Sequence, residues 1–195
     1  MNNYNETQNI DLKDIHTLEE NSLKCLKKDL YTYEHNLRVK EYSILIGQEL
    51  NLSIDMLNCL SLAAEYHDIG KIELADTILL KNTALTQSEY NEIKKHTEYG
   101  YNITKNLVRE DIALGIKQHH ERIDGSGYPN GLVGDEIHII AKIIAIADTF
   151  DALTTNRPYR KGVDKSLALL EIKKHSGTLF EKEYVEAFES ALNSV

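Results

Sequence analysis

Five histidines and two aspartates are placed where they can do chemistry together. His119 and His120 are adjacent and run into Glu121-Arg122-Ile123-Asp124-Gly125-Ser126-Gly127-Tyr128-Pro129. Adjacent imidazoles are poor helix material and costly to bury unless something uses their nitrogens. The loop behind them has backbone freedom at two glycines and a fixed φ at the proline, which makes a rigid loop hung on a possible metal-binding helix end. His67-Asp68 is followed at once by Ile69-Gly70-Lys71, while His35 and His96 stand alone. Asp148 interrupts the apolar run Ala145-Ile146-Ala147. Each position has an ordinary reading. Asp148 alone is most simply a salt-bridge partner of an Arg or Lys, with a metal as the alternative, because an unpaired buried carboxylate costs many kcal/mol. Lys71 alone reads as an exposed lysine at a helix C-terminus. His35 and His96 alone read as surface or satisfied core residues. Four separate histidine positions with two aspartates make coincidence a weak explanation.

Helices must position these groups. Leu12, Ile15, Leu18, Leu23, Leu26 and Leu30 recur at helical spacing, and a second helix is expected over 31–50. Ser53 can cap a third, ending at Glu65-Tyr66-His67-Asp68, with Gly70 as its stop. An irregular connection with a short turn around Thr77–Leu80 follows. Thr86-Gln87-Ser88-Glu89 spells a capping box for a helix to about Leu107. Another helix covers Asp111 to Glu121. The run IHIIAKIIAIADTFDAL from about residue 136 is apolar almost all round, so that helix should be central and buried. Two last helices, about 164–175 and 181–193, are separated by Gly177. No segment alternates like a strand. The expected fold class is all-α, a helical bundle of seven or eight helices. Residues 1–30 are expected as an N-terminal extension, a disordered start followed by a helix, and 31–195 as the functional domain.

Composition sets limits. The net charge of −9 argues against binding of DNA or RNA, which calls for a basic face. A small anionic substrate would need concentrated local positive charge, from a few Lys and Arg or from metal ions. The longest apolar run, Ile139 to Ala147, is far too short to span a membrane and contains Lys142. The polar, acidic start carries no secretory signal, and Cys25 and Cys59 form no CxxC; both read as reduced core thiols of a cytoplasmic protein. The helix within 12–30 is a candidate to pack on the domain or to mediate a homodimer.

The motifs HDIGK, a lone His96, HHERIDGSGYP and AIADTFDALTTNRPYR, in this order, resemble the HD-GYP domains, a subgroup of the HD metal-dependent phosphohydrolases; the resemblance covers roughly residues 31–190. It implies an all-α HD-domain bundle with a centre of two or three metals, usually iron or manganese. The implied activity is hydrolysis of cyclic di-GMP to pGpG, sometimes onward to GMP, by a metal-bridging hydroxide. By resemblance the metal ligands are His35, His67, Asp68, His96, His119, His120 and Asp148, with Asp68 bridging two ions. Lys71 lies near the scissile phosphate, Arg157 and Arg160 contact the nucleotide, and Gly127 and Tyr128 belong to the loop that shapes the pocket. One departure matters. Some members carry a Glu four residues before the first histidine to help hold a third metal, and here that position is Tyr31. Two divalent ions are therefore expected, with His120 the conditional ligand.

Histidine-rich sites with few carboxylates suit Fe, Mn, Zn or Ni better than Mg or Ca. Two divalent ions against Asp68 and Asp148 leave a surplus of roughly two positive charges, which suits a phosphodiester anion in an acidic chain. The alternatives are a hydrolase of another cyclic dinucleotide and a non-catalytic sensing or interaction domain. Of the remaining residues, Arg122 and Asp124 are expected to pair and brace the loop. Glu121 is expected behind a histidine, and Asp151 against the RPYR segment.

Overall fold

The computed structural model describes residues 12–156 and 161–194. Among these the chain is helical, with two isolated β-bridges and no strand. The first helices are α1 (Leu12–Lys28), α2 (Leu30–Glu49) and α3 (Ile54–Tyr66). A 3-10 turn, Ile69–Glu73, leads to the short α4 (Asp76–Leu79), then α5 (Gln87–Lys94) and α6 (His96–Thr104). The chain continues with α7 (Glu110–Gln118), α8 (Ile139–Thr154), α9 (Lys165–Lys174) and α10 (Lys182–Asn193). None of the described helices is long and apolar enough to cross a membrane.

The caps expected at Ser53 and Thr86 form, and Asp29 adds one that was not expected. Asp29 accepts from Tyr31 N and Thr32 Oγ1 and so divides α1 from α2. Ser53 caps α3, and Thr86 and Glu89 close both halves of their capping box. The expected helix from Thr86 to Leu107 is broken at Lys95 into α5 and α6, and the turn near Thr77 closes into α4, which raises the count of α-helices among the described residues to ten.

Helix α8 is the axis of the core. Ile140, Ile143, Ile144, Ile146 and Phe150 on it are all shut off from solvent. α2, α3, α7, α9 and α10 pack around it. Phe150 meets Phe188 of α10 and Tyr42 of α2 edge-on, with centroids 4.9 and 5.0 Å apart. Lys142, the one charge inside the apolar run, is itself buried and reaches Glu181 at 3.2 Å and Asp135 at 3.4 Å. Cys59 is a free thiol in the core, while the side chain of Cys25 lies outside the described residues. Helix α1 reaches the core through Leu18, and Lys28 at its end donates to the carbonyls of Ile72 and Leu74.

Gly70 does not stop α3. It lies in the 3-10 turn, and a Cβ there would fall 2.0 Å from the carbonyl oxygen of His96 and 2.4 Å from the amide nitrogen of Gly100. Only a glycine lets the turn after Asp68 press directly on α6.

Candidate metal centre

Three of the histidines sit just past helix C-termini. His67 follows α3, His96 follows Lys95 at the end of α5, and His119 follows α7. Each turns Nδ1 back to the carbonyl three residues earlier: His67 to Ala64 at 2.8 Å, His96 to Ile93 at 2.7 Å and His119 to Ile116 at 2.7 Å. A carbonyl only accepts, so each Nδ1 carries the proton and each Nε2 presents a lone pair. Burial pushes all three imidazoles toward the neutral form, His96 down to about 4.

These lone pairs converge. The Nε2 atoms of His96 and His119 lie 3.3 Å apart, a contact between two acceptors. Asp68 Oδ1 is 3.3 Å from His96 Nε2, and Asp68 Oδ2 is 3.5 Å from His67 Nε2. His67 Nε2 and Asp68 Oδ1 are buried with no hydrogen-bond partner among the described residues. Facing acceptors sealed from water repel unless a cation lies among them. Two groups satisfy the spacing for one: His35, His67 and Asp68, and His96, His119 and His120, the ligand atoms of each lying within 4.8 Å of one another. The two oxygens of Asp68 face both groups. Its carboxyl, which burial would raise, is held well below the usual carboxylate range by Lys71, at 2.6 Å from Oδ2, and by the surrounding imidazoles. This donor set fits divalent metal ions.

His35 is oriented differently, from the middle of α2. Its Nδ1 lies 2.6 Å from Asp151 Oδ2 and its Nε2 3.1 Å from Asp148 Oδ1. Burial works against a charge on this ring, but the bonds to Asp148 and Asp151 outweigh it and raise it to about 9. The same Nε2 serves a proton or a metal ion, so the two compete there. The RPYR segment expected against Asp151 lies outside the described residues; Asp151 is fully buried and also takes a fork from Arg38, at 2.6 and 3.1 Å. Sequence reasoning did not find Arg38. The signal was its position one turn after His35, matching Asp151 one turn after Asp148. A carboxylate behind a ligating imidazole fixes its tautomer and raises its basicity. Asp151→Asn is expected to weaken metal affinity by about 10–100-fold with helix content retained. Competition with a chromogenic chelator measures this, and wild-type retention of metal would remove the role.

The loop after His120 is fastened from within. Glu121 does not back a histidine; it accepts from Asn130 N at 2.7 Å and Leu132 N at 3.0 Å, gathering the far side of the loop. Arg122 and Asp124 do not pair: Arg122 donates to the carbonyls of His119 and Glu121 and lies over the ring of Phe180, while Asp124 accepts from Ser126. A Cβ at Gly127 would fall 2.4 Å from the backbone of Glu121 and Arg122, so this glycine lets the loop fold flat against its own helix end. That packing lays the ring of Tyr128 on His120, with centroids 4.7 Å apart. His120 Nδ1 is 3.9 Å from Asp148 Oδ2. Tyr31 stacks beside His35 at 6.3 Å, facing the site as its spacing implies. His35, His67, Asp68, Lys71, His96, His119, His120, Tyr128 and Asp148 are thus brought together, and Arg157 and Arg160 lie outside the described residues.

Fold and clusters together define an all-α protein whose buried histidine and aspartate groups fit divalent metal ions. The chain belongs to the HD domain family, whose model matches residues 19–183. Its HDIGK, HHERIDGSGYP and RPYR motifs are those of the HD-GYP subgroup. A cyclic di-GMP phosphodiesterase of Thermotoga maritima is 42% identical over 164 residues, which is 83% of this chain and 45% of that protein. A 3′3′-cGAMP-specific phosphodiesterase of Vibrio cholerae is 39% identical over 169 residues, 85% of this chain and 36% of that one. The solved structure of an HDG“Y”P protein from Bdellovibrio bacteriovorus shares the fold, with a TM-score of 0.68 at 22% identity over 83% of this chain and 52% of that one. The chain thus spans less than half the length of the first two relatives.

Proposed function

We propose that this chain is the catalytic unit of a metal-dependent phosphodiesterase that hydrolyses cyclic di-GMP to pGpG. The observation that carries the reading is the convergence of buried lone pairs, with His67 and His96 facing the two oxygens of Asp68 and His119 facing His96. Residues 31–195 form the catalytic domain, and α1 belongs to the extension before it. The exposed Leu23 supports α1 as a surface for a second copy.

His35, His67, Asp68 and Asp148 would hold one divalent ion, and His96, His119 and His120, with Asp68 between the groups, would hold a second. Nitrogen-rich coordination favours iron or manganese over magnesium. Tyr31 in place of a carboxylate disfavours a third ion and therefore favours pGpG over GMP as the final product. Bound divalent ions supply a nucleophile at neutral pH and Lewis acidity toward the phosphoryl oxygens. Lys71 neutralises a phosphate oxygen and steadies the leaving 3′-oxygen. Arg157 and Arg160 grip phosphate or a guanine edge through their planar forks. Gly127 and Tyr128 shape the wall of the pocket, and the buried imidazole cage keeps bulk water from the reacting centre.

A second reading, hydrolysis of 3′3′-cGAMP, is favoured by the similarity to the Vibrio cholerae enzyme. The test is anaerobic purification, metal analysis, and product chromatography on cyclic di-GMP and 3′3′-cGAMP in parallel. About two ions per chain and pGpG as product are expected. Faster turnover of 3′3′-cGAMP selects the second reading, and no turnover of either by iron- or manganese-loaded protein ends both.

A further inference from the structure

We propose that Lys94, flanked by Tyr90, is a substrate-binding residue that holds the second, uncleaved phosphate of the cyclic dinucleotide. This inference rests on the phosphodiesterase reading and extends it beyond the motif residues.

Lys94 is the last residue of α5, two positions before His96. Its ammonium lies 4.8 Å from the ring centroid of Tyr90 and 5.1 Å from that of Tyr128. It therefore joins α5 to the loop that closes on His120. From outside inward the row reads Tyr90, which is 44% exposed, then Lys94, then Tyr128, then His120 of the metal cluster. Lys94 has no carboxylate within 4.0 Å among the described residues, although the chain carries a net charge of −9. The neighbouring cations are paired, Lys81 with Glu89 and Lys95 with Glu92, each at 2.6 Å. A half-buried ammonium on aromatic faces, left without an acid at the rim of an anion site, is placed for a ligand's negative charge.

The ligand chemistry requires such a group. A cyclic dinucleotide carries two phosphodiesters and two purines. The metal centre and Lys71 engage the phosphate that is cleaved, and if Arg157 and Arg160 take the guanine edges, the other phosphate falls to Lys94. The ring of Tyr90 beside that cation offers a face on which a purine can stack.

The test compares two substrates. Cyclic di-GMP has the second phosphate; bis(p-nitrophenyl) phosphate is a single diester that needs only the metal centre. Metal-loaded wild type, Lys94→Met and Lys94→Arg are assayed on both, with KM and kcat separated. Lys94→Met is expected to raise KM for cyclic di-GMP about tenfold and to lower the ratio of kcat/KM between the two substrates by a similar factor. Lys94→Arg, which keeps the charge, should hold the ratio within about threefold of wild type. An unchanged ratio in Lys94→Met, including equal loss on both substrates, overturns the assignment and shows Lys94 to be a stitch between α5 and the loop. If wild type cleaves the simple diester but neither cyclic di-GMP nor 3′3′-cGAMP, the cyclic dinucleotide reading fails first and the Lys94 role falls with it.

Discussion

Asp68→Ala is expected to lower turnover of cyclic di-GMP by a factor on the order of 10³ and to bring metal content from about two ions per chain to one or none. Asp68 is buried between the two histidine groups, its oxygens 3.3 Å from His96 and 3.5 Å from His67, while Asp148 meets the groups from the other side through His35 at 3.1 Å and His120 at 3.9 Å. Removal of Asp68 takes one 2.6 Å contact from Lys71, which is 23% exposed and within reach of water. The metal-free variant should therefore unfold within about 5 °C of metal-free wild type, since it also loses a buried carboxylate that faces lone pairs. Calorimetry of the stripped proteins and metal analysis of the loaded ones separate lost chemistry from lost fold. Metal content and turnover that survive the substitution would end the shared-carboxylate account.

Gly70→Ala is expected to damage the same centre without touching a ligand. The added methyl would meet the backbone of His96 and Gly100 at 2.0 and 2.4 Å, and backbone cannot rotate aside. Either the turn after Asp68 or the start of α6 must move by about an ångström, which pulls His96 away from Asp68. The strain is about 3 kcal/mol, or about 6–12 °C in melting temperature for a chain of this size. A displacement of that order costs on the order of 10² in turnover. A variant that melts with wild type and keeps its activity would show that the turn and α6 are not held in register by this contact.

The chemistry of the centre was legible because much of it is contiguous. His67-Asp68 and His119-His120 are neighbours in the chain, and the apolar run of α8 announces a buried helix in which Asp148 stands out. Caps at Ser53 and Thr86 were legible for the same reason, since the group and its backbone partner are three residues apart. What could not be read depends on where distant segments meet. Asp151 backs His35 across 116 residues, and no period or spacing connects them. Glu121 lies beside two histidines but bonds across its own loop, a choice fixed by how Gly127 folds that loop flat. Arg122 stands two residues from Asp124 yet turns to carbonyls and to Phe180 from the distant C-terminal region. The break at Lys95 was hidden because α5 and α6 together continue a helical pattern; its reason is spatial, to set His96 where α5 ends and bring α6 against Gly70.

His67 and His119 stand where α3 and α7 end, while His96 stands where α5 gives way to α6. A helix C-terminus holds a fractional negative charge, about half an elementary charge for each helix. Two such ends face one small region together with the carboxylates of Asp68 and Asp148. The protein's own field there favours cations and opposes phosphate. On the metal-centre reading the expected order is that ions load before an anionic ligand enters, so that metal supply gates substrate supply, set by the direction in which two helices run.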